Sequence, residues 1–194
     1  MMSNGNPLYI HLAHLFRYPD EAYRQHLEEA NEALTNEELR ESLEPLKSFA
    51  AQNDFTALEE LFTRTFDMNP LTCLEVGWHL YGEDYKRGEF LVKMRQALAQ
   101  YSLPESEELP DHMSHCLQLM AYMEPEDAPV LAEGYLLPVI KKILKGFKPE
   151  NPFRGLLVCL EILLVDLIGP GSGYIGQEAR SGQGESELVS LTVD

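Results

Sequence analysis

Between Pro7 and Ile168 apolar side chains return at steps of three and four residues, and nowhere do they alternate for long at a step of two. A helix repeats every 3.6 residues and a strand every two, so this spacing buries a stripe on a helix but not one face of a strand. The pattern predicts an all-α fold, a single-domain bundle of about nine helices. Residue choice agrees. Leucine, alanine and glutamate are plentiful, while valine, isoleucine and threonine are sparse. Straight-chain residues keep most of their rotamer freedom in a helix, and β-branched ones lose more.

Local signals place the helices. Pro7 suits a first helical turn, and Leu8, Leu12, Leu15 and Phe16 follow at helical spacing. Tyr18-Pro19-Asp20 ends that helix and starts a second, with Asp20 as its cap. Thr35 or Asn36 caps a third, which Pro45 should bend or interrupt. Asp54 caps a fourth, with Leu58, Leu61, Phe62 and Phe66 facing inward. A short fifth helix is expected over 71–80, stopped by Gly82, and a sixth from Asp84 to Tyr101. The loop SLPESEELPD leads to a seventh helix starting near Pro110. The eighth spans 125–147, with Pro138 as a kink point. The ninth spans 152–168 and is apolar nearly all round, which predicts a central position. These helices make up one domain over 1–168. From 169 to 194 the chain turns glycine- and serine-rich, which predicts a flexible tail, with at most a short strand in ELVSLTV.

The formal net charge is −17 over 194 residues. Such a field repels phosphate backbones, argues against nucleic-acid binding and favours a basic partner. Cys73, Cys116 and Cys159 are far apart and odd in number, which is no disulfide framework and fits a reducing compartment. No secretory signal opens the sequence. The most apolar run, Leu156 to Ile168, is too short to span a bilayer and carries Glu161 and Asp166. A cytoplasmic protein without direct membrane insertion is expected, as a monomer or weak homodimer. Glu161 and Asp166 lie five residues apart, so one solvent-facing edge holds both only loosely, and one of them is a candidate for an internal partner such as Arg154.

No nucleophile motif or phosphate-binding loop occurs. Glu75 and His79, Glu108 and His112, and Asp111 and His115 are each four apart, a spacing that shares a helix face. Helical bundles that bind metal pairs use Glu-x-x-His instead, and that spacing is absent. Capping and hydrogen bonding are the expected roles of these histidines. A metal-dependent bundle enzyme using His79, His112 and His115 is the alternative. Neither a cofactor nor a metal is expected.

WHLYGEDYKRG differs in kind. A tryptophan, a histidine and a tyrosine end one helix, and Lys86-Arg87-Gly88 fall in the first turn of the next, where positive charge opposes the dipole. Nearby carboxylates would account for Arg87, with Asp67, Glu83, Asp84, Glu108 and Asp111 as candidates. Gly88 inside a helix costs about 1 kcal/mol relative to alanine, which suggests a second backbone packed against it.

Thr65-Phe66-Asp67, Trp78-His79-Leu80-Tyr81-Gly82-Glu83, Arg87-Gly88, Tyr101 and Glu108-Leu109-Pro110-Asp111-His112 resemble the pattern of nitrate reductase delta-subunit assembly chaperones. That family belongs to the redox-enzyme maturation chaperones that serve molybdopterin oxidoreductases. The resemblance implies a non-catalytic, all-helical, cytoplasmic chaperone. Its partner would be the N-terminal segment of a molybdoenzyme catalytic subunit, held competent for molybdenum-cofactor insertion. It also implies a peptide-binding groove bordered by His79, Tyr81, Gly82, Glu83, Arg87, Glu108, Pro110, Asp111 and His112. Two departures from the pattern occur: the link from Tyr101 to Glu108-Leu109-Pro110-Asp111 is short and lacks the glycine common after that tyrosine, and Met113-Ser114 stands where Leu-Pro is typical. The client implied is nitrate reductase or a sibling acting on dimethyl sulfide, selenate, chlorate or a hydrocarbon. A permanent scaffold subunit of a redox complex is a further alternative.

Overall fold

The computed structural model describes residues 5–169. The expected tail, Gly169 apart, and its short strand lie outside the described residues. Helices α1 (Pro7–Leu15), α2 (Tyr23–Ala33), α3 (Glu37–Gln52) and α4 (Phe55–Phe62) are followed by α5 (Val76–Tyr81), α6 (Lys86–Gln100) and α7 (Met113–Tyr122). Then come α8 (Ala128–Leu131), α9 (Leu137–Gly146) and α10 (Arg154–Ile168). Two π turns extend these helices, Thr63–Asp67 after α4 and Ala132–Leu136 between α8 and α9. Because α8, its π turn and α9 run on without a break, the helical rods follow the expected series. Among the described residues β-pairing is confined to one antiparallel bridge between Glu75 and His112.

Two of the expected caps form. Asn36 Oδ1 accepts the Glu38 N–H at 2.9 Å, and Asp54 Oδ1 accepts the Ala57 N–H at 2.8 Å. Asp20 does not cap α2, whose N-cap is Ala22 without a capping side chain; it accepts the Ala22 N–H at 2.9 Å and closes the turn ahead of the helix. Pro45 does not interrupt α3, which runs unbroken past it. One reason lies in α10, which crosses there so closely that a Cβ on Gly155 would stand 1.9 Å from the Ser42 carbonyl oxygen. Tertiary packing at that turn offsets the lost amide. Pro138 does disturb its helix: just before it the Leu137 N–H reaches back five residues to the Ala132 carbonyl, giving the second π turn.

The core is a leucine-rich cluster in which Leu12, Leu15, Leu43, Leu46, Leu58, Leu156, Leu160 and Leu164 have no exposed surface. Helix α10 packs on α3, α8 and α9, and α1 packs on α2 and α7. The central position expected for α10 therefore holds, although its outer edge reaches solvent. Glu161 is half-buried and Asp166 exposed there. No helix of the described residues is long and apolar enough to cross a membrane.

Candidate docking site

The stretch 65–115 folds around the single bridge. The fifth helix starts later than expected, at Val76, because residues 74–76 pair with 111–113 instead of coiling. The Val76 N–H donates to the Asp111 carbonyl at 3.0 Å, and the Met113 N–H donates to the Leu74 carbonyl at 2.8 Å. The seventh helix is likewise delayed, from Pro110 to Met113. The bridge thus sets the first turns of α5 and α7 side by side.

Helix α5 has no capping side chain of its own. Asp111 supplies one from 34 residues away: its Oδ2 accepts the Gly77 N–H at 2.8 Å, and the residue is fully buried. A Cβ on Gly77 would fall 2.6 Å from that oxygen, so only glycine lets the carboxylate in. Burial pushes the Asp111 carboxyl up. The Gly77 amide and the Arg87 guanidinium work the other way.

His112 caps α7, its Nδ1 accepting the Ser114 N–H at 3.3 Å. It is buried and held neutral, its pKa pushed down to about 3 by desolvation, with His115 and Arg17 adding to the effect. His115 Nδ1 pairs with the Leu109 carbonyl at 2.8 Å, and its Nε2 accepts the Ser106 N–H at 3.2 Å. The carbonyl can only accept and the amide can only donate, so the proton sits on Nδ1. His79 Nε2 donates to the Cys73 carbonyl at 2.8 Å. These are the capping and hydrogen-bonding roles expected of the three histidines. Among the described residues they form no group that could hold a metal ion.

Arg87 is tied differently from the expectation. Its guanidinium lies over the Trp78 ring at 5.6 Å, and among the described residues it makes no ion pair within 4.0 Å. Its Nε is buried without a hydrogen-bond partner, and so is Asp111 Oδ1. Gly88 is exposed, with open space where a Cβ would point, so no second backbone packs there. The close approach is at Gly77.

The sequence motifs thus separate into support and surface. Thr65 and Phe66 are buried: the Thr65 Oγ1 accepts from Asn151 Nδ2 at 2.9 Å, and Phe66 packs on Phe62, Phe147 and Phe153. Asp67, next in the chain, is exposed. Pro110, Asp111 and His112 are buried, whereas Glu108 and Glu83 are exposed. Tyr81 is half-buried against Phe90. Gly82 ends α5 with a positive φ of 59°, its N–H donating to Trp78 at 2.8 Å. Lys142 of α9 donates to the His79 carbonyl at 2.7 Å and fixes the same end.

Beside these junctions lies a pocket of about 300 Å³ lined by Asp67, Met68, Pro70, Cys73, Glu75, Trp78 and Arg87. Only Arg87 of these was among the expected border residues. Desolvation and the nearby Glu75 raise the Asp67 carboxyl, against a lowering hydrogen bond from Thr63. Glu108 is raised by desolvation and then by Glu75, Asp67 and Glu107. Mutual repulsion among carboxylates at one mouth is relieved by a cation. Large apolar side chains stand exposed nearby in the chain, Met68 at 74%, Leu71 at 65% and Leu109 at 43%.

A family model described as nitrate reductase delta subunit matches residues 20–143. The chain is 32% identical over 150 residues to the probable nitrate reductase molybdenum cofactor assembly chaperone NarJ of Bacillus subtilis, covering 75% of this chain and 82% of that one. To the nitrate reductase molybdenum cofactor assembly chaperone NarJ of Escherichia coli K12 it is 30% identical over 125 residues, 60% of this chain and 52% of that protein. The match therefore spans about half the length of the second relative. Both relatives are named as assembly factors rather than catalysts. With well over half its length matched by the family model, the chain belongs to the nitrate reductase delta-subunit family.

Proposed function

We propose that this chain is a cytoplasmic assembly chaperone, not an enzyme, for the catalytic subunit of a nitrate reductase-like molybdoenzyme. It binds the N-terminal segment of that subunit and keeps it competent for molybdenum-cofactor insertion, then releases it. The observation that carries the reading is the pocket at the α5 junction. Carboxylates of Asp67 and Glu75 line it, Glu108 adds its field, and Trp78 forms a wall. A basic side chain of the client segment enters there, its charge against the acids and its stem on the ring. Met68, Leu71 and Leu109 cover the apolar face of the same segment as it coils, in a helix-in-groove mode. Ordering a flexible segment on binding tempers affinity, which suits a partner that must be let go.

Within this reading the border residues divide. Glu83, Arg87 and Glu108 meet the peptide. His79, Tyr81, Gly82, Pro110, Asp111 and His112 hold the two junctions in register through the bridge and the Gly77 cap. The test is co-purification from cells expressing the chain with the full catalytic subunit or with that subunit lacking its N-terminal segment. Capture of the full subunit alone is expected, with the captured form poor in cofactor. Equal capture of both forms removes the segment as the target, and a fixed stoichiometry in the mature enzyme would make the chain a permanent subunit.

A further inference from the structure

Away from the docking site, α1 and α2 bring histidines together on their shared face. His11 Nδ1 lies 2.9 Å from His26 Nδ1, and Glu29 Oε2 lies 3.2 Å from the first and 3.5 Å from the second. His26 and Glu29 are three apart on α2, so both project toward α1 from neighbouring turns. A third imidazole, His14, lies against His26 with ring centroids 3.8 Å apart. It is anchored through Nε2 to Asp20 Oδ1 at 2.9 Å.

Proton counting makes this arrangement unusual. An ionised carboxylate only accepts, and each neutral imidazole has one N–H to give. If His11 Nδ1 carries the proton, the His26 Nδ1 lone pair faces Glu29; if His26 carries it, His11 does. In either arrangement three possible ligand atoms converge on one point, and at least one lone pair faces another. The side chains are 20%, 23% and 36% exposed, so the point is open to solvent on one side.

We infer that His11, His26 and Glu29 form a binding site for a divalent zinc ion. A tetrahedral zinc with bonds of about 2.0–2.1 Å holds its ligand atoms about 3.3 Å apart. The observed triangle has sides of 2.9, 3.2 and 3.5 Å. A metal above its centre takes two imidazoles and a carboxylate and leaves the fourth position to water, a donor set that suits zinc. The triangle rests on the packing of α1 against α2. Asp20 and His14 act behind it, steadying the His26 ring. Bound zinc would tie the first helix to the second.

The test is a zinc titration of the full chain, free of any affinity tag, followed by calorimetry and by elemental analysis after dialysis. One zinc per chain is expected. His11→Ala and His26→Ala should each lower affinity by more than roughly 100-fold, and Asp20→Asn by about 10-fold through the outer support. Cys73→Ser should bind as the unmodified chain does, which separates this site from the Cys73–His79 contact at 3.6 Å. Cobalt in place of zinc should give tetrahedral ligand-field absorption that Glu29→Gln abolishes. Because the three side chains are partly exposed, circular dichroism without metal should be unaltered in the variants. Should His26→Ala fail to fold, Glu29→Gln carries the same readout. Failure of the unmodified chain to bind one equivalent, or binding that His11→Ala and Glu29→Gln leave unchanged, overturns the site.

Discussion

Gly77 and Asp111 tie the start of α5 to the segment that leads into α7. Asp111 was placed at the groove border by resemblance, yet it is fully buried and acts through the Gly77 amide. Replacing Gly77 by alanine puts a methyl group 2.6 Å from the Asp111 carboxylate, which must then leave the amide. We expect Gly77→Ala to cost about 2 kcal/mol in urea unfolding, from overpacking and a lost buried hydrogen bond. An unchanged midpoint would mean that the carboxylate is not needed there. His112 makes a second prediction. Its folded pKa is about 3 against 6.5 for the free side chain, so below about pH 6.5 the unfolded chain takes up a proton that the folded chain refuses. Stability from this group is complete above that pH and is lost as pH falls toward 3, by at most about 1.4 kcal/mol per pH unit. Asp67, Glu108 and Asp111 have raised values and act oppositely at the acid end, so the comparison must be a difference. His112→Asn keeps a helix cap without the titration. Its stability should therefore fall less steeply between pH 6 and pH 4 than that of the unmodified chain.

At the scale of elements, helix stops show how far local chemistry reads through. Helix α6 ends with the Leu103 N–H on the Leu98 carbonyl and the Ser102 N–H on the Ala99 carbonyl. That paired closure wants a glycine in the left-handed region, and Ser102 sits there with φ of 53°. The missing glycine noted after Tyr101 is thus a strained position, not a different turn. Ser102→Gly should raise stability by about 0.5–1 kcal/mol in the same unfolding assay, and a loss would contradict the strain. Asn36, Asp54 and Gly82 were readable for the same reason: a cap or stop acts within a few residues of itself. What escaped was every feature made by partners far apart in the chain. The bridge joins Glu75 to His112, and it shortened a helix that periodicity alone extended back to residue 71. Pro45 remains inside α3, where α10 packs against the turn before it, and no local signal carries that information.

For the whole molecule, an all-helical bundle was legible because three- and four-residue spacing has one structural meaning. The candidate docking site was legible only in part. Its motifs marked the stretch that holds the pocket, and the resemblance named mostly residues of the junctions beside it. Asp67, Glu75 and Trp78 lay within the same stretch and became a pocket only when α5 and the π turn after α4 met. The net charge of −17 extends the pull of that pocket beyond its walls. Under the proposed function, the whole field steers a basic partner and the pocket discriminates it. The most direct measurement is calorimetric titration of the client's N-terminal peptide into the chain at low salt, with the unmodified protein and with Asp67→Asn combined with Glu75→Gln. The account predicts binding that weakens at least tenfold in the double variant and that weakens further in the unmodified chain as salt is raised. Equal affinity in both proteins, with no dependence on salt, would contradict it.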